Sequence, residues 1–102
     1  MKISTYIDKG ILHIVLEGEM DEYSATSARR ETDRLIDLSP PLNKAYIDLE
    51  NVTFMDSTGI GFLIGRYKKL QRLGIEVYLK NPNPTADKVL SLGGIYTLIP
   101  KV

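Results

Sequence analysis

Phe54-Met55-Asp56-Ser57-Thr58-Gly59-Ile60-Gly61-Phe62-Leu63-Ile64-Gly65-Arg66-Tyr67-Lys68 reads as the end of a strand, a tight turn and the opening of a helix. Asp56, Ser57 and Thr58 are each side chains that can accept a hydrogen bond from a free amide of a first helical turn, and the glycines permit a sharp turn and close packing. The helix is predicted from about Thr58 to Leu73, where Gly74 ends it. At 3.6 residues per turn, Ile60, Leu63, Ile64, Tyr67 and Gln71 share one side, while Phe62, Gly65 and Lys69 lie on the other, flanked by Gly61 and Arg72. A buried core explains the first set and leaves Phe62 unexplained, so Phe62 is expected to stand exposed as an anchor for a partner.

Upstream, Ile3 to Ile7 alternates and Ile11 to Leu16 is strongly apolar, with Asp8-Lys9-Gly10 between them, the pattern of a β-hairpin whose second strand Gly18 closes. Asp21 or Ser24 is placed to cap a helix running to about Leu38, with Ala25, Ala28, Thr32, Leu35 and Ile36 facing inward, and Ser39-Pro40-Pro41 stops it. Lys44 to Leu49 is a third strand. Downstream of Gly74, Ile75 to Leu79 is a fourth strand, Thr85 to Leu92 a short helix stopped by Gly93-Gly94, and Ile95 to Ile99 a last edge strand. The resulting β-β-α-β-α-β-α-β order predicts one α/β domain over residues 1–102, with a mixed sheet of four to five strands packed with α-helices.

The composition narrows what such a domain can do. Thirteen basic and thirteen acidic side chains cancel, so no net field recruits nucleic acid or an anionic membrane. The chain has no cysteine, which excludes disulfides, thiolate metal sites and a cysteine nucleophile. His13 is the only histidine and falls inside a strand pattern, where a structural role outweighs that of a general base. Neither a phosphate-binding G-x-x-x-x-G-K-[ST] loop nor a strand-borne G-x-G-x-x-G is present, and Gly59-Ile60-Gly61 alone does not make one. No catalytic apparatus, metal site or cofactor site is expected, and with no signal-peptide pattern and no run long enough to span a bilayer the chain is read as cytoplasmic.

Asp56-Ser57-Thr58-Gly59-Ile60-Gly61 resembles the D-S-[ST]-G-hydrophobic-G signature of the STAS-domain anti-sigma factor antagonists. Gly18-Glu19-Met20-Asp21 is similar to that family's Gly-Glu-Leu-Asp at the end of the second strand, and Asn83-Pro84 to Tyr96 to its last helix and strand, so the likeness covers nearly the whole chain. Gly65-Arg66-Tyr67-Lys68 brings it nearest to the stage II sporulation members. Two departures stand out: the sporulation members are expected to carry a further C-terminal helix where this chain has Val102, and Asn81-Pro82-Asn83-Pro84 holds an extra proline.

The resemblance implies a STAS domain that works by partner switching. Unphosphorylated antagonist binds an anti-sigma factor kinase and releases a sporulation sigma factor; the kinase phosphorylates the antagonist with ATP, and a serine phosphatase resets it. Carried over position by position, Ser57 is the phosphoacceptor and Thr58 its helix-capping neighbour. Asp21, Asp56, Thr58, Gly59, Gly61, Phe62, Gly65 and Lys69 are the expected partner-binding residues. The alternatives are an antagonist in a general stress pathway, a STAS module sensing a nucleotide or other small ligand, and a weak nucleotide hydrolase.

Overall fold

The computed structural model describes residues 1–102. Strands β1 (Lys2–Asp8) and β2 (Ile11–Met20) form the expected hairpin. Its turn residues Lys9 and Gly10 have φ of 52° and 76°, the left-handed pair that lets two antiparallel strands keep their natural twist. Helix α1 (Ala25–Leu38) follows, then β3 (Lys44–Met55), α2 (Ser57–Arg72), β4 (Glu76–Lys80) and α3 (Pro84–Leu92). The sheet order is β1-β2-β3-β4, antiparallel at the hairpin and parallel elsewhere, because β2, β3 and β4 are joined through helices.

Period-2 alternation assigns the two faces of the sheet. Leu12, Ile14, Leu16, Ala45, Ile47, Leu49, Val77 and Leu79 point one way and are buried. Ala28 and Ile36 of α1, Leu63 and Leu70 of α2, and Leu90 of α3 join them in a single core cluster, so all three helices serve that face. Thr32, mid-helix and 1 % exposed, satisfies its hydroxyl by donating to the Ala28 carbonyl one turn back.

Three expectations need correction. Gly18 does not close β2: with φ of 107° it sits at a register irregularity against β3, and the strand continues through it to Met20. β3 likewise runs on to Met55, well past Leu49. The segment Ile95 to Ile99 is not an edge strand. It begins as a 3-10 helix, Ile95–Thr97, entered through Gly94 at φ 70°, and Ile95 and Ile99 both plug the core. Only a bridge between Leu79 and Lys101 extends the sheet beyond β4.

Candidate functional site

Ser57 is the first residue of α2 and is exposed. Two features of the local sequence put it there. Met20 and Met55, paired across the ends of β2 and β3, are both buried, so the strands stop together at the rim of the sheet. Asp56, in extended conformation, then caps the helix: its Oδ1 accepts from the Thr58 amide at 2.9 Å. The resemblance assigns the capping role to Thr58; the structure corrects this, because the side chain that caps the helix is that of Asp56. Thr58 is half-buried in the first turn.

Gly59 is buried, and its expected place on the partner surface is corrected accordingly. A Cβ there would lie 2.5 Å from Cγ of Met55 and 3.1 Å from Cγ of Met20, so hydrogen alone lets the first turn settle onto the strand ends. Gly61 and Gly65 differ: nothing lies within 4 Å of a Cβ built on either.

Phe62 is also corrected. It is 6 % exposed and belongs to the core. The cause is that α2 packs on two neighbours, the sheet through Leu63 and Leu70 and α1 through its adjoining side. That second side carries Phe62, Arg66 and Lys69. Arg66, also 6 % exposed, sets its guanidinium carbon 5.3 Å from the Phe62 ring centre and its Nε 2.8 Å from Oδ1 of Asp33 on α1. Burial pushes that guanidinium below the ordinary arginine value, and Asp33 opposes the shift. Lys69, an expected partner contact, is half-buried and paired with Asp37 of α1 at 2.9 Å. Ile60, Ile64 and Tyr67, expected to carry the core, are only partly buried.

Asp21 lies just beyond Met20, at the same rim as Asp56. Its Oδ1 accepts from the backbone amides of Tyr23 and Ser24, both at 3.0 Å, and its own amide donates to Ser24 Oγ at 3.1 Å. Those bonds, led by the Ser24 amide, hold the carboxyl below the usual aspartate value. The turn they build leads into α1 and leaves Tyr23 88 % exposed. Between the N-terminal parts of α1 and α2 runs an open groove of about 350 Å³, lined by Ala25, Thr26, Arg29, Thr58, Gly61 and Gly65, with Phe62 and Arg66 at its floor.

The structure thus gathers Asp21, Asp56, Ser57, Thr58, Gly61 and Gly65 at one end of the molecule, and places Gly59 and Phe62 beneath that surface. Sequence reasoning missed Tyr23, Thr26 and Arg29. The signal for the last two lay in α1, whose register the thin apolar face of Ala25, Ala28, Thr32 and Ile36 does set, leaving Thr26 and Arg29 on the side toward α2.

A family model for the STAS domain matches residues 2–102. The anti-sigma F factor antagonist of Paenibacillus polymyxa is 30% identical over 92 residues, covering 90% of this chain and 78% of that protein. The anti-sigma-B factor antagonist of Bacillus subtilis strain 168 is 28% identical over 88 residues, 86% and 78% of the two chains. Among solved structures, the anti-sigma factor antagonist SpoIIAA in its unphosphorylated form superimposes with a TM-score of 0.76 at 24% identity, over 99% of this chain and 88% of that one.

Proposed function

The chain belongs to the STAS domain family, and from that premise we propose that it is an anti-sigma factor antagonist whose binding is switched off by phosphorylation of Ser57. The observation that carries the proposal is the exposed hydroxyl at the first position of α2, capped by Asp56, inside the Asp-Ser-Thr-Gly-Ile-Gly motif. This chain is the binding protein and the phosphate acceptor; the kinase activity belongs to its partner. Ser57 Oγ attacks the γ-phosphorus of ATP held by the anti-sigma factor, ADP leaves, and the serine proton passes to a base of the kinase. A serine phosphatase reverses the modification with water.

The partner surface is the groove between α1 and α2 together with Asp21, Asp56 and Thr58, and the open space above Gly61 and Gly65 is where the partner's chain approaches. Tyr23, fully presented at the rim, is its apolar anchor in place of the buried Phe62. A phosphate on Ser57 adds about −1.5 to −2 charges at neutral pH. In the free chain, water and the helix amides accommodate it. In the complex it is desolvated close to Asp56, and that cost falls on binding alone.

Gly65-Arg66-Tyr67-Lys68 and the likeness to the anti-sigma F factor antagonist favour a sporulation sigma factor as the one released. The comparable likeness to an anti-sigma-B factor antagonist supports the general stress pathway as the second reading. The test is incubation with each type of anti-sigma factor kinase and ATP, read by peptide mass spectrometry. One phosphate on Ser57 is expected; phosphate on Thr58, or on Ser57→Ala protein, contradicts the assignment.

A further inference from the structure

The helices leave the second face of the sheet uncovered, and a continuous row of rings crosses it. Tyr6 pairs with His13, His13 with Tyr46 and Tyr46 with Tyr78, one ring from each of the four strands. Tyr6 and His13 stack at 4.4 Å, and Tyr46 meets His13 and Tyr78 edge to face at 5.5 and 5.8 Å. Burial holds the His13 imidazole below the ordinary histidine value, with Lys80 adding to the shift, so the centre of the row is neutral at pH 7. His13 Nδ1 is buried with no hydrogen-bond partner, and Tyr6 remains 47 % exposed. An uncharged aromatic centre inside a ring of charged side chains is the anatomy of a protein interface.

The charges around the row say which protein. On one side of the rings the strands present, in order, Asp8, Ile11, Lys44 and Glu76; on the other, Ser4, Val15, Asp48 and Lys80. Turning the face over about an axis along the ring row brings each side chain of the first set over its strand-mate in the second. Asp8 then meets Ser4, Ile11 meets Val15, Lys44 meets Asp48 and Glu76 meets Lys80. All four juxtapositions are complementary. The other in-plane twofold, along the strands, sets Asp8 against Glu76, Ile11 against Lys44, Val15 against Asp48 and Ser4 against Lys80, and only the last of these four is favourable. The pattern suits the first axis only.

We infer that this sheet face binds a second copy of the chain, with antiparallel strands and the twofold axis along Tyr6, His13, Tyr46 and Tyr78. With strands about 4.8 Å apart, the face is roughly 20 Å across, and two such faces bury on the order of 1,000 Å², the lower end of specific interfaces. The dimer is therefore weak and reversible. It leaves Ser57 and the groove free, since these stand on the helix side of the molecule, and it is independent of the function proposed above.

Sedimentation equilibrium of the full chain, from micromolar to about millimolar concentration, tests it with two charge variants. The unaltered chain dimerises with rising concentration. Lys44→Glu sets like charges against Asp48 at both symmetric contacts, and Asp48→Lys does so against Lys44, so each variant alone is monomeric. In a mixture of the two, both contacts of the heterodimer regain opposite charges, and dimer returns at equal total concentration. Recovery on mixing also shows that neither variant is misfolded. A chain that stays monomeric throughout, single variants that still dimerise, or a mixture that fails to recover would each overturn the inference.

Discussion

Arg66 on α2 and Asp33 on α1 meet at 2.8 Å between Nε and Oδ1, an ion pair rather than an aligned hydrogen bond, with the arginine side chain 7 % exposed and the aspartate 31 %. The pair locks together the two helices that wall the groove. Removing the aspartate leaves a buried guanidinium without its counter-charge. Asp33→Ala is expected to lower stability by about 2–3 kcal/mol, less than a wholly buried pair would lose because Asp33 keeps part of its hydration. Asp33→Ala combined with Arg66→Met is expected to recover most of that loss. Urea unfolding of the unaltered chain and the two variants measures it; an unchanged midpoint for Asp33→Ala contradicts the role.

Gly61 and Gly65 sit inside α2 over open space, where glycine weakens a helix and gains no packing in return. Alanine at either position is expected to raise the stability of the free chain by about 0.5–1 kcal/mol. On the proposed partner surface the same methyl groups intrude where the partner approaches, so affinity for the anti-sigma factor is expected to fall. Gly59→Ala behaves oppositely, destabilising the free chain by pressing on Met55 and Met20. Thermal melts and binding titrations of the three variants separate these outcomes. Equal binding by Gly61→Ala and Gly65→Ala would remove the groove from the partner surface.

The C-terminal segment is tied down by one carboxylate. Asp87 accepts from the Tyr96 hydroxyl at 2.6 Å and from Lys101 Nζ at 3.1 Å. The tyrosine hydroxyl, then the lysine, hold Asp87 below its usual value, and burial, then Asp87, raises Tyr96 above its own. A lowered carboxylate lends stability above the ordinary aspartate range and loses it as pH falls through the lowered value. A raised phenol lends stability below the ordinary tyrosine value of about 10 and loses it progressively as pH rises beyond that. The clamp therefore acts between those limits. Tyr96→Phe is expected to remove the phenol's share of the alkaline loss and to lower stability at neutral pH; identical pH profiles for the two proteins would contradict the clamp.

Phosphorylation itself should leave the fold intact. Ser57 is exposed at the N-terminus of α2, so modified and unmodified chains are expected to unfold at similar denaturant midpoints. A large drop on modification would mean that the switch works by unfolding the antagonist.

Much of this was legible in the residues alone. Asp8-Lys9-Gly10 between two apolar runs specified the hairpin, Ser39-Pro40-Pro41 the end of α1, and Asp56-Ser57-Thr58 the start of α2 to within a residue. Phe62 was misplaced because helical periodicity assumes one buried stripe, whereas α2 is wedged between the sheet and α1 and buries two adjoining ones. Ile95 to Ile99 looked like a strand from its β-branched and apolar content, yet Ile95 and Ile99 stand four apart, the spacing of a helical turn that sends both to one side. The extension of β2 through Gly18 had no signal, since a strand irregularity breaks the very alternation by which strands are recognised.

The proposed switch rests on one affinity difference. A single anti-sigma factor kinase, titrated with unmodified chain and with chain phosphorylated stoichiometrically on Ser57, is expected to bind the unmodified form and to bind the phosphorylated form at least about 100-fold more weakly. Equal affinities for the two forms would contradict the proposed mechanism, however cleanly Ser57 is phosphorylated.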